Sequence, residues 1–109
     1  MGFVAPLSAS AAAQTSALAT LKDGPATFQA QVDNNPGNGA TAWMWLADFK
    51  HDDWSWAAAK VIFVDGTTAQ YGPAFKTNIT GSLPKKVRQF QVCEGLGDQI
   101  HKCSGWSYL

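Results

Sequence analysis

Beyond its first two dozen residues, this chain is a series of short alternating runs cut by turn formers. That rhythm constrains its fold more than any other feature. Residues 27–32 alternate around Phe28, Ala30 and Val32. The turn-forming run Asp33-Asn34-Asn35-Pro36-Gly37-Asn38-Gly39 follows. Residues 40–49 set Trp43, Trp45, Ala47 and Phe49 on one face and Ala42, Met44, Leu46 and Asp48 on the other, because successive strand side chains point opposite ways. Residues 54–64 continue the pattern. Ala57-Ala58-Ala59 alone would suit a helix, but Val61-Ile62-Phe63-Val64 favours a strand. Asp65-Gly66 between apolar runs is a hairpin signal. A return strand over 67–71 ends at Gly72-Pro73, and further strands are expected over 75–80, 87–92 and 103–108. About seven short strands with frequent turns predict an all-β protein, a small antiparallel immunoglobulin-like sandwich.

Cys93 and Cys103 are the only cysteines, with a polar, glycine-containing stretch between them. The separation suits a disulfide that pins a hairpin between the last two strands. Closing a loop of that size contributes about 3 kcal/mol in the chain-entropy model. Two buried free thiols are the alternative. Zinc sites use paired short cysteine spacings that are missing here, as is a redox Cys-x-x-Cys. A small chain with one staple fits an oxidising, extracellular compartment.

Charge and motifs exclude several functions. Eight basic residues balance eight acidic ones in 109, so the basic stripe of a nucleic-acid binder is absent. The basic cluster Lys85-Lys86-Arg88 reads as a solvated strand start beside Pro84. His51-Asp52-Asp53 reads as a polar turn, since adjacent turn residues cannot all converge on one ion. His101 has no matching partner in the sequence. Asp33, Asn35, Gly37 and Asn38 resemble a calcium loop only faintly, because Pro36 interrupts and the terminal Glu is missing. Asn78-Ile79-Thr80 fits a glycosylation acceptor. Glu94 is the only Glu, so no carboxylate pair is assignable for glycoside hydrolysis. There is no Gly-x-Ser-x-Gly and no phosphate-binding glycine loop. No enzyme activity, cofactor or metal is expected.

Residues 1–21 carry no charged side chain, and Ala9-Ser10-Ala11 and Ala11-Ala12-Ala13 resemble small-x-small cleavage sites. The segment is expected to be a leader remnant or an N-terminal arm, too short to span a membrane, followed by one sandwich domain over 22–109. Five Trp and six Phe exceed what a small core needs. Trp43, Trp45, Trp54 and Trp56 form two Trp-x-Trp pairs that adjacent antiparallel strands would place on one sheet face. Such a row is either half core, a protein interface, where Trp is enriched among hot spots, or a platform for sugar rings.

The tail Val87-Arg88-x-x-Gln91-Val92-Cys93-Glu94…Cys103-Ser104-Gly105-Trp106 resembles a pattern in small secreted proteins of actinobacteria, among them the adaptor subunits of the umbrella toxin particles of Streptomyces. The resemblance covers the last third of the chain. It implies a secreted, non-catalytic adaptor that links a lectin-like subunit to a larger toxin-bearing one. It also implies that the N-terminal extension docks in the lectin-like partner, which places Gln14, Leu18 and Leu21 in that contact. The residues and the resemblance together predict an extracellular protein-interaction module using these residues and the four tryptophans. The alternative is a carbohydrate-binding module using the Trp-rich face.

Overall fold

The computed structural model describes residues 15–50 and 54–109. Nine strands follow one another: β1 Ser16–Asp23, β2 Ala26–Asp33, β3 Ala42–Lys50, β4 Ser55–Phe63, β5 Thr68–Ala74, β6 Asn78–Leu83, β7 Val87–Leu96, β8 Gln99–Cys103 and β9 Ser107–Tyr108. They form two antiparallel sheets, β1-β2-β3-β6 and β5-β4-β7-β8, with β9 pairing on β7. The described residues are thus the small antiparallel sandwich expected from the alternation, closed by a disulfide hairpin near the C-terminus.

The alternation sets the core directly. Phe28, Ala30 and Val32 of β2 and Met44 and Leu46 of β3 face Ala57, Ala59, Val61 and Phe63 of β4 and Phe90 and Val92 of β7, all buried. Alanine occupies many of these positions, so the three large rings, Phe28, Phe63 and Phe90, fill space that small neighbours leave. Burying each such ring contributes about 1.5–3 kcal/mol.

Strand β1 was not expected. Ser16 to Asp23 pairs along its whole length with β2, from Ser16 opposite Asp33 to Asp23 opposite Ala26. A domain boundary between residues 21 and 22 therefore falls inside a strand, and residues 16–21 belong to the sandwich. Ala17, Ala19 and Leu21 face the core; small and uncharged residues read as a leader are an inward strand face. Of the expected leader or arm, residues 1–14, including Gln14, lie outside the described residues, as does the turn expected at His51-Asp52-Asp53.

Other boundaries also move. Strand β5 runs through Gly72-Pro73, where it was expected to end. It is an edge strand, where proline is tolerated. Its partner β4 bulges opposite between Ala57 and Ala59. A Cβ on Gly72 would lie 2.7 Å from the Ala57 carbonyl oxygen, so only glycine permits this approach. The segment between the cysteines is largely strand: β7 extends to Leu96 and β8 starts at Gln99, leaving a two-residue turn.

Local polar contacts explain several of the motifs. Asn34 donates its Nδ2 to the Val87 carbonyl and accepts from the Val87 amide, both at 2.8 Å, which ties the β2–β3 loop to the opposite sheet. Asp33 accepts from the Asn35 amide at 2.8 Å, so this loop is an Asx-capped turn. The basic cluster is occupied at home. Lys85 pairs with Asp65 at 2.8 Å, and Lys86 donates to the Asn34 carbonyl at 3.1 Å.

Cys93 and Cys103 are register partners on β7 and β8, with Cα atoms 4.0 Å apart. Ser104 continues the pairing: its amide donates to the Val92 carbonyl at 2.8 Å, and its carbonyl accepts from Gln91 Nε2 at 2.8 Å. Much of the tail motif therefore has a structural task in holding the last strands to β7.

Candidate functional site

Strand β3 presents Trp43 and Trp45 outward, half-exposed, while Ala42, Met44 and Leu46 enter the core. Register places them in rows across the outer face of their sheet. Trp45 stands in line with Leu18, Gln31 and Thr80, and Trp43 with Ser16, Asp33 and Ser82. Phe49, four residues on, packs its ring 5.4 Å from that of Trp45 at 52°, within the range of favourable tilted pairs. Leu18 is exposed in this row, whereas Leu21 faces inward opposite Phe28 and packs against the core.

The aromatic line runs toward one end of the sandwich. Strand pairing fixes what gathers there. Asn78 lies beside Ala47, Ala74 beside Ala57, and Leu96 beside Ser55. The end of β3, the start of β4, the β5–β6 turn and the β7–β8 turn thus share this end with the Asp23-Gly24-Pro25-Ala26 turn. It exposes Phe49, Trp54, Phe75 and Leu96. Trp54 is 75% exposed and sits at φ 72°, a left-handed conformation that bulky residues rarely adopt. Such strain costs of order 1–3 kcal/mol and clusters at functional sites.

The end is braced from beneath. The Lys76 amide donates to Asp48 Oδ2 at 3.1 Å, and the Asp48 amide to the Thr77 carbonyl at 2.9 Å. The buried Asp48 therefore clamps the turn that carries Phe75, and Lys76 Nζ lies 5.3 Å from the Phe75 ring centroid.

The two Trp-x-Trp pairs do not share a face. Strands β3 and β4 lie in different sheets, so Trp43 and Trp45 face outward from one side and Trp56 from the other. Trp56 has a packing role. Its indole covers Gly95, where an added Cβ would collide with the ring, and its Nε1 donates to the Gly97 carbonyl at 2.8 Å. It braces the β7–β8 turn, while Trp54 is left to solvent. Trp106, at the end of the tail motif, lines a shallow groove with Lys60, Ile62 and Gln70 on the same outer face as Trp56.

A second cluster, missed in the sequence, lies at the same end. Asp23 closes β1. Glu94 points between the sheets and is 2% exposed. Their ligating oxygens lie with a nitrogen of the exposed His101 within 4.8 Å of one another. Lys102, the register partner of Glu94, donates to Asp23 Oδ1 at 3.1 Å. Hydrogen bonding with Glu94, then with Lys102, holds the Asp23 carboxyl below its ordinary range. Reading 1–21 as a leader concealed most of β1, the strand that Asp23 ends. Strand parity could have shown that Glu94, two residues beyond Val92, faces inward.

Compared with known proteins, the chain matches no family, no curated protein and no solved structure. Among the described residues, no helix is long and apolar enough to cross a membrane.

Proposed function

We propose that this chain is a non-catalytic protein-interaction module whose binding surface is the aromatic end of the sandwich, with Trp54 at its centre and Phe49, Phe75 and Leu96 around it. The observation that carries the reading is the backbone of Trp54. A left-handed tryptophan exposed to solvent is held in a costly conformation without the burial that would offset it. A partner that covers the ring supplies that burial, and tryptophan is a frequent interface anchor. Asp48, Trp56 and the disulfide hold the surrounding turns, so the surface is preorganised and loses little entropy on binding.

The resemblance of the tail supports a finer form of the reading. In it the module is secreted and works as an adaptor between a lectin-like and a larger toxin-bearing subunit. The disulfide is compatible with an extracellular site of action.

A second reading rests on a separate observation. Trp43 and Trp45 stand side by side on an outer face whose neighbouring positions are Gln29, Gln31, Asn78, Thr80 and Ser82. Aromatic rings flanked by amides and hydroxyls suit a glycan. The variants Trp54→Ala and Trp43→Ala/Trp45→Ala separate the two. Loss of protein co-purification in the first supports the interaction module. Loss of glycan-array binding in the second, with protein binding intact, supports the glycan platform. A partner retained by Trp54→Ala at unchanged affinity overturns the assignment of the surface.

A further inference from the structure

We propose that Asp23, Glu94 and His101 form a binding site for a divalent first-row transition ion, with zinc the best match. Three ligand atoms of mixed type, two carboxylate oxygens and one imidazole nitrogen, lie within 4.8 Å of one another. Donors on one zinc stand about 2.0–2.2 Å from the ion, so a small closure of the group completes the site. His101 is exposed on a short strand and is free to make that movement.

The placement of Glu94 adds an independent argument. Its side chain is almost fully buried between the sheets and meets Asp23 from the opposite sheet. The two carboxyl groups thus converge from different sheets, where neither sheet alone would bring them together. A divalent cation between these oxygens would bring counter-charge to both groups, and the His101 imidazole completes an N/O donor set. That set favours zinc-like ions over calcium and magnesium, which take oxygen ligands. Lys102 now occupies Asp23, but its side chain is 43% exposed and can swing into solvent. The ion would join β1 of one sheet to β7 and β8 of the other, beneath the aromatic end.

The test is titration calorimetry with thermal denaturation on the untagged full chain, stripped with EDTA and then given zinc, manganese, calcium or magnesium chloride. One equivalent of zinc is expected to bind at least tenfold more tightly than calcium or magnesium. At a hundredfold excess over Kd it should raise Tm by about 10 °C. His101→Ala and Asp23→Asn should each weaken zinc at least tenfold. Lys102→Gln should bind it as tightly or more so, and His51→Ala should leave it unchanged. Since His101 is exposed, His101→Ala is expected to fold normally. Zinc that fails to bind, that binds no better than calcium, or that is lost in His51→Ala but kept in His101→Ala overturns the proposal.

Discussion

Single residues carry two sharp consequences. Gly95 leaves room for the Trp56 indole, and a methyl group there would collide with the ring. Gly95→Ala should displace the indole, break its bond to the Gly97 carbonyl and cost about 1–3 kcal/mol, read as a fall in the denaturation midpoint. An ordinary strand glycine would gain from the same change. Asp65 is the second case. The Lys85 ammonium, followed by the Thr67 hydroxyl and amide, holds its carboxyl far below the ordinary range. A pKa lowered by folding adds stability above about pH 4, the unfolded value, and loses it as pH falls toward the folded value. Asp65→Asn should therefore flatten the decline of Tm below about pH 4. The effect at pH 7 should be small, since the pair is exposed to solvent. Neither residue's role was legible beforehand. Asp65-Gly66 announced a hairpin, but nothing local in the sequence pairs Asp65 with Lys85, or Gly95 with a tryptophan 39 positions earlier.

At the scale of elements, legibility followed burial parity. Strands β2, β3, β4 and β7 were readable because each alternates, and Ala57-Ala58-Ala59 resolved to strand because a β-branched run follows it. Strand β1 was hidden because its residues are small and uncharged, a composition that leader peptides share; only pairing with β2 separates the two. Removing residues 1–21 should thus do more than remove an arm. It strips most of β1, uncovers the edge of β2 and should lower Tm markedly, as circular dichroism melting would show. The disulfide was legible from spacing alone, and both cysteines sit opposite each other on one hairpin. Cys93→Ala/Cys103→Ala should cost about 3 kcal/mol. A loss well below that would mean that the hairpin is held mainly by the Ser104 and Gln91 bonds.

For the whole molecule, the two sheets decide which aromatic residues share a surface. Counting along the chain made Trp43, Trp45, Trp54 and Trp56 look like one row. The crossing from β3 to β4 divides them between two faces and one end. The surface that emerges joins loops distant in sequence, at Phe49, Trp54, Phe75 and Leu96, and for that reason no linear pattern could reveal it. The account rests on this end being where a partner docks. The most direct measurement is native co-purification from the medium of the source organism, comparing the C-terminally tagged chain with its Trp54→Ala variant, both checked for folding by circular dichroism. The account predicts that larger secreted proteins co-elute in fixed stoichiometry with the unaltered chain and that Trp54→Ala weakens the association at least tenfold, about 1.4 kcal/mol or more. An unaltered chain that elutes alone, or a folded Trp54→Ala variant that keeps its partners undiminished, would contradict it.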